Sequence, residues 1–289
     1  GQEALSAALG IQLRRGDVFA PLIRDQAGRL AFGETVHDAV RTYLGSPLGP
    51  MRARDGNVHR GRPREGLLPM ISHLGAMISV TAGCLLAKRM RGECGFVGAT
   101  CVGDGATSTG SFHEALNMAA VEKLPLVLVV ANNQYAYSTP TSRQFACDDL
   151  VERAVGYGVP GHPVDGTDLE QCLDVLERAV AAARGGGGPQ LVVASLLRLA
   201  GHGEHDVADY VEDDLKRSNL GRDCLKVAES FLLLQKWETP STLDAKRGEV
   251  ARVVNETVAG VQVEEGPDPY SEDWCALATR HLADGYHAP

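Results

Sequence analysis

Several features that would assign a chain to a membrane, a secretory route or a nucleic acid are missing here. No apolar run approaches the roughly 20 residues that a membrane-spanning helix needs. The first residues show no basic segment leading into an apolar core and a small-residue cleavage site, so no secretory signal is read. The seven cysteines are scattered, without C-x-x-C pairs or zinc spacing. An odd, dispersed set implies reduced thiols rather than a disulfide framework. The expected location is therefore bacterial cytoplasm or an organelle matrix, not the exterior. Positive charge is also short: 28 Lys and Arg against 37 Asp and Glu, a net charge of −9. That balance argues against nucleic acid or an acidic membrane surface as partner. There are no internal repeats and no low-complexity tracts. At 289 residues the chain is long enough to bury a sizeable core. One α/β domain over residues 1–289 is expected, becoming helical from about residue 211.

What is present concentrates between Val102 and Pro140. A short apolar run from Phe96 to Val102 ends in Gly103-Asp104-Gly105. Phe112, Leu116, Ala119 and Ala120 follow at helical spacing, and then Leu124 to Val130 is almost purely aliphatic and stops at Asn132-Asn133. Strand, loop, helix, strand is a βαβ unit, and the unbroken aliphatic run predicts a strand buried on both faces. Ligands of open parallel sheets bind outside the carboxyl ends of the strands. Asp104 and Asn133 each follow such an end, so their side chains can converge. A carboxylate with an amide oxygen is a hard-oxygen set suited to Mg²⁺ shared with phosphate oxygens. The helix starting near Ser111 is expected to aim its N-terminus at the same place, favouring an anion. The glycines at 103 and 105 allow close backbone approach. These residues together read as a magnesium and diphosphate site.

Gly103-Asp104-Gly105 and Asn132-Asn133, spanning 31 residues from Gly103 to Asn133, resemble the signature of thiamine-diphosphate enzymes. The segments GDGATSTGSFHEALNMAA and NNQYAYSTP resemble the alpha chain of the decarboxylating component of 2-oxo acid dehydrogenase complexes. The resemblance covers residues 1 to about 210 well and the remainder loosely. It implies an α/β fold with a mostly parallel sheet and helices on both faces, the thiamine-diphosphate-binding fold. It implies Mg²⁺ held by Asp104, Asn133 and the backbone oxygen of Tyr135, with Gly105 and Ala106 also against the cofactor. Arg24 matches an arginine that binds the diphosphate, although Ile23 stands where the family has tyrosine. Ser72 and Leu74 match a turn that holds the aminopyrimidine ring, and Leu74 is suited to wedge the cofactor into a bent shape. His202 matches a histidine that faces the thiazolium ring, and its ordinary pKa suits proton transfer near neutral pH. His202 and His205, three apart, remain open as a metal pair.

The family also frames four smaller expectations. His59 resembles a histidine in the corresponding loop, within the Gly-, Pro- and Arg-rich residues 45–66. Ala76 and Met77 replace the residues that bind potassium in some members, so no potassium is expected. Gly203 replaces a regulatory serine, so no phosphorylation switch is expected there. Gly1-Gln2-Glu3-Ala4 resembles a motif well inside the family's alpha chain, which implies a natural N-terminal segment upstream.

Further helices are expected at residues 3–14, 34–44, 167–183 with Thr167 as cap, 212–237, 243–262 and 271–283, and further strands at 18–23 and 190–197. The reaction implied is oxidative decarboxylation of a 2-oxo acid, branched-chain favoured and pyruvate next. The acyl fragment would pass to a lipoyl group on an acyltransferase partner. No glutamate here fits the activating role, so a beta chain in an α2β2 assembly, or a fused beta half, is expected to supply it. The competing readings are acetoin dehydrogenase or another thiamine-diphosphate enzyme of transketolase type, and a non-catalytic cofactor-binding assembly subunit.

Overall fold

The computed structural model describes residues 1–55 and 59–268. In chain order the elements are α1 (Glu3–Gln12), β1 (Val18–Ala20), α2 (Gln26–Phe32), α3 (Val36–Tyr43), α4 (Ala76–Met90), β2 (Gly98–Gly103), α5 (Gly110–Val121) and β3 (Leu126–Asn132). Then come β4 (Tyr135–Ala136), β5 (Thr139–Pro140), α6 (Arg153–Gly156), β6 (Gly161–Asp165), α7 (Leu169–Ala182), β7 (Gln190–Ser195), α8 (Asp213–Arg217), α9 (Cys224–Leu234) and α10 (Pro240–Gln262). Five strands form one parallel sheet in the order β1-β2-β3-β7-β6. β4 and β5 make a separate antiparallel hairpin.

The aliphatic run of β3 has the predicted cause. Val127, Val129 and Ala131 enter the core on one face, and Leu126, Leu128 and Val130 enter the core on the other. A central parallel strand buries both of its alternating sets, so no polar position survives until Asn132. α1 and α7 supply one covering layer; α4 and α5 supply the other. In α5 the buried residues are Phe112, Ala115, Leu116 and Ala119, one stripe at helical spacing. Thr109 caps this helix, its hydroxyl accepting from the Phe112 N–H.

Several expected boundaries move, each for a local reason. The strand expected at 18–23 is only Val18–Ala20, because Pro21 has no N–H for the ladder. The cap of α7 is Asp168, which accepts from Gln171 N, while the Thr167 hydroxyl donates to Asp165. The helix expected at 212–237 is two helices, α8 and α9. Gly221 sits in the turn between them, where a Cβ would meet the Lys216 carbonyl at 2.0 Å, and Asp223 caps α9 afresh. α2 and β6 are among the elements that had no sequence signal. α2 crosses α1 so closely that a Cβ on Gly10 would meet the Gly28 carbonyl at 2.4 Å. β6 carries Pro163 and is tolerated because it is the sheet edge. The helix expected at 271–283 lies outside the described residues. No described helix is long and apolar enough to cross a membrane.

Two arginines of the Arg-rich loop, Arg60 and Arg62, are held by ion pairs, while Arg52, Arg54 and Arg64 are exposed. Arg60 is fully buried, with its Nε 2.8 Å from Glu34 Oε1. Arg62 makes a forked pair with Asp38 at 2.8 and 2.9 Å. These bonds pin the last part of the loop to α3 and to the link that precedes it.

Candidate active site

A cavity of about 520 Å³ opens at the carboxyl ends of β2 and β3, where a parallel sheet places its ligands. Register sets the geometry. Gly103 pairs with Ala131, so Asp104 and Asn133 leave neighbouring strands side by side. Both are buried, at 1% and 5% exposure, and both line the cavity.

The cavity gathers every residue assigned to the site from sequence: Arg24, Ser72, Leu74, Asp104, Gly105, Ala106, Asn133, Tyr135 and His202 all line it. Their states differ. Burial pushes the Asp104 carboxyl above its ordinary pKa, and the hydrogen bond from Gln144 works against that shift. Asn133 Oδ1 is buried without a hydrogen-bond partner. Leaving a buried acceptor unpaired costs free energy, and a cation beside Asp104 would satisfy it. The Tyr135 carbonyl receives only a long bond, 3.4 Å, from Arg198. A carboxylate, an orphaned amide oxygen and a weakly engaged carbonyl therefore fit a Mg²⁺ site.

Positive charge stands on one side. The Arg24 guanidinium loses basicity through burial and then through Arg198, the repulsion expected of two cations awaiting an anion. Arg24 also donates to the His202 carbonyl at 2.9 Å, tying the two sequence-distant residues together. His202 lies within van der Waals reach of Tyr137, ring centroids 4.6 Å apart. Partial burial, then the charges of Arg24 and Arg198, hold its imidazole below the usual pKa. The His202 backbone N–H donates to Asp206; the Tyr210 hydroxyl first, and then that bond, keep Asp206 down to about 2.

Two expectations change at this level, and Gly201 gains a structural reason. The N-terminal turn of α5 does not line the cavity; the short turn Asp104–Ser108 intervenes and presents Asp104, Gly105 and Ala106 instead. Gly201 serves the loop itself, since a Cβ there would meet the Asp206 carbonyl at 1.8 Å. His205 is off the cavity lining and shares its ring nitrogen with the Tyr137 hydroxyl at 3.3 Å. No cluster of three or more metal-ligating His, Cys, Asp or Glu exists among the described residues, which leaves the His202 and His205 metal pair without support.

His59, too, is off the lining. Its ring bridges Asp55 at 2.9 Å and the Ser72 hydroxyl at 3.0 Å. Sequence reasoning missed Gln144, Tyr137 and Arg198. Gln144 donates to Asp104 Oδ2 at 2.6 Å. The buried Arg198 donates to the carbonyls of Tyr137 and Ala200 at 3.0 Å each, fastening the end of β7 to the β4–β5 hairpin. No spacing rule marks either residue; only the fold brings each to its partner.

Comparison with known proteins settles the family. Residues 1–270 match the dehydrogenase E1 component. The chain belongs to the dehydrogenase E1 component family. It is 33% identical to the alpha subunit of acetoin:2,6-dichlorophenolindophenol oxidoreductase from Cupriavidus necator, over 94% of this chain and 81% of that one. It is 30% identical to the pyruvate dehydrogenase E1 component subunit alpha of Rhizobium meliloti, over 93% and 77%. It is 37% identical to the 3-methyl-2-oxobutanoate dehydrogenase subunit alpha of Mycobacterium tuberculosis, over 72% and 53%. E1 components are thiamine-diphosphate-dependent 2-oxo acid dehydrogenases, and these relatives are alpha subunits of multi-subunit enzymes, which implies a beta subunit beside this chain.

Proposed function

We propose that this E1 chain binds thiamine diphosphate through Mg²⁺ in the cavity described and supports oxidative decarboxylation of a 2-oxo acid. The observation that carries the reading is the buried, unpartnered Asn133 Oδ1 beside the buried Asp104 carboxylate at two adjacent strand ends. Asp104, Asn133 and the Tyr135 carbonyl would hold the cation, and Arg24 would pair with diphosphate oxygens. Gly105, Ala106, Ser72 and Leu74 would flank the rest of the cofactor. When bound, thiamine diphosphate supplies the electron sink that lets carbon dioxide leave. His202 would hold or move a proton at the substrate's carbonyl oxygen, held neutral by its surroundings near working pH.

Part of the apolar pocket wall faces solvent. Leu74 is 62% exposed and Ile23, Tyr137 and Ile71 between 39% and 43%, although all four line the cavity. No described glutamate lines it. Both facts support a beta chain that covers the apolar wall and brings the activating glutamate, in an α2β2 assembly or as a fused half. A lipoyl acyltransferase would accept the acyl group. The six described cysteines are all free, in keeping with a reducing cytoplasm or organelle matrix. We favour a branched-chain 2-oxo acid with pyruvate next; the near full-length alignment with an acetoin oxidoreductase subunit supports acetoin as the second reading. The test co-expresses this chain with its beta chain and assays pyruvate, branched-chain 2-oxo acids and acetoin with an artificial electron acceptor. Turnover of a 2-oxo acid that needs both chains and Mg²⁺ is expected. No turnover of any 2-oxo acid by the assembled pair refutes the reading.

A further inference from the structure

Gln144 sits just past the β4–β5 hairpin, at the end of the turn Thr141–Arg143. Its side-chain amide N–H groups are both spent, one on Asp104 Oδ2 at 2.6 Å and one on the Thr139 carbonyl at 2.9 Å. Its backbone carbonyl accepts from the Ser108 hydroxyl at 2.8 Å, which fastens it to the turn that carries Asp104. The amide thus spans the hairpin that supplies Tyr135 and the turn that supplies Asp104. Gln144 is not part of the cavity lining.

We propose that Gln144 is a positioning residue for cation binding, locking the Asp104 carboxylate in the orientation that meets Mg²⁺. A buried carboxylate has few partners, and its rotation decides which oxygen faces the site. Holding Oδ2 from behind with a short bond leaves the rest of the acceptor capacity for the cation. A neutral amide donor does this without competing for the metal, as a lysine or arginine would by charge. Partners of this kind behind a metal-binding carboxylate are usually worth 10- to 100-fold in metal affinity.

The inference rests on the cation reading above, and one experiment separates the two. The assembled enzyme with its beta chain is titrated with Mg²⁺ by calorimetry at saturating thiamine diphosphate. Wild type, Asp104→Asn, Gln144→Leu, Gln144→Met and Asp104→Asn/Gln144→Leu are compared, with Tm recorded for each. The Gln144 variants should bind Mg²⁺ roughly 10- to 100-fold more weakly, with a lower Tm from the two lost hydrogen bonds that is the same in the absence of Mg²⁺. In the Asp104→Asn background, Gln144→Leu should add less than about threefold, because coupled residues are not additive. Gln144→Met keeps length and volume should Gln144→Leu fold poorly. Wild-type Mg²⁺ affinity in both Gln144 single variants, with Asp104→Asn impaired, overturns the role of Gln144 alone. An equal Gln144→Leu loss in both backgrounds overturns it too, since the effect would then bypass Asp104. A wild-type enzyme whose cofactor binding ignores Mg²⁺ overturns the cation reading and this inference together.

Discussion

Gly105→Ala tests the packing that sets the site. Gly105 lies between Asp104 and Ala106 in the turn facing the cavity. A Cβ at this position would stand 2.7 Å from the Ala136 Cβ. Ordinary contact begins near 3.4 Å, so the turn and the hairpin must part by about 0.7 Å. The close neighbour is not a flexible side-chain end: Ala136 stands in β4 between Tyr135 and Tyr137, whose carbonyls both accept from the buried Arg198. Overpacking of this kind costs about 1–3 kcal/mol, roughly 2–5 °C of Tm for 289 residues. The separation would also pull Asp104 from the Tyr135 carbonyl, and displacements approaching 1 Å can cost on the order of 100-fold in function. Gly103→Ala is the matched control. Its Cβ would meet nothing within 4 Å, yet Gly103 lines the cavity. That variant should keep the wild-type Tm and weaken thiamine diphosphate binding alone, through the methyl in the cavity. The assays are differential scanning calorimetry of the single chain and cofactor titration of the assembled enzyme. Wild-type Tm and cofactor affinity in Gly105→Ala would refute the argument that the turn and hairpin are held in contact.

Three other outcomes are expected. His202→Ala should lower turnover by roughly 10² to 10⁴ with little change in cofactor affinity, while His205→Ala, off the cavity lining, should cost far less; steady-state kinetics with cofactor titration on both variants checks the order. In Arg24→Gln, the His202 pKa should rise toward 6.5, because one of the two positive charges depressing it is gone; NMR titration of the histidine ring protons reads this directly. For that group the folded chain favours the neutral form, so its contribution to stability is lost as pH falls below 6.5 toward the lower folded value. Asp104→Asn should raise the Tm of the metal-free chain at pH 7, because folding holds the Asp104 proton more tightly than the ordinary value of 3.8 and its ionisation costs stability as pH rises; the gain should shrink at pH 4, and thermal melts at both pH values test the sign.

The sequence by itself determined the central βαβ unit and which residues meet at the carboxyl ends of its strands. An aliphatic run bounded by a helix and by Asn132-Asn133 reads as an interior parallel strand, and Asp104 and Asn133 stand where such strands end. Residue type and spacing carry that information locally, as they do for Arg24, Ser72, Leu74 and His202 once the family pattern is recognised. The tertiary structure decided what local pattern cannot encode. Gln144 reaches Asp104 across 40 residues, Arg198 reaches the hairpin across about 60, and Arg24 reaches the His202 carbonyl across 178. β6 was invisible because a sheet edge tolerates proline, and α2 because two glycines let it press on α1. The Arg-rich loop misled in the opposite direction: Arg60 is buried because Glu34, from a separate element, neutralises it there. Hydrogen-bond partners and close crossings are relations between distant segments, and only the folded chain defines them.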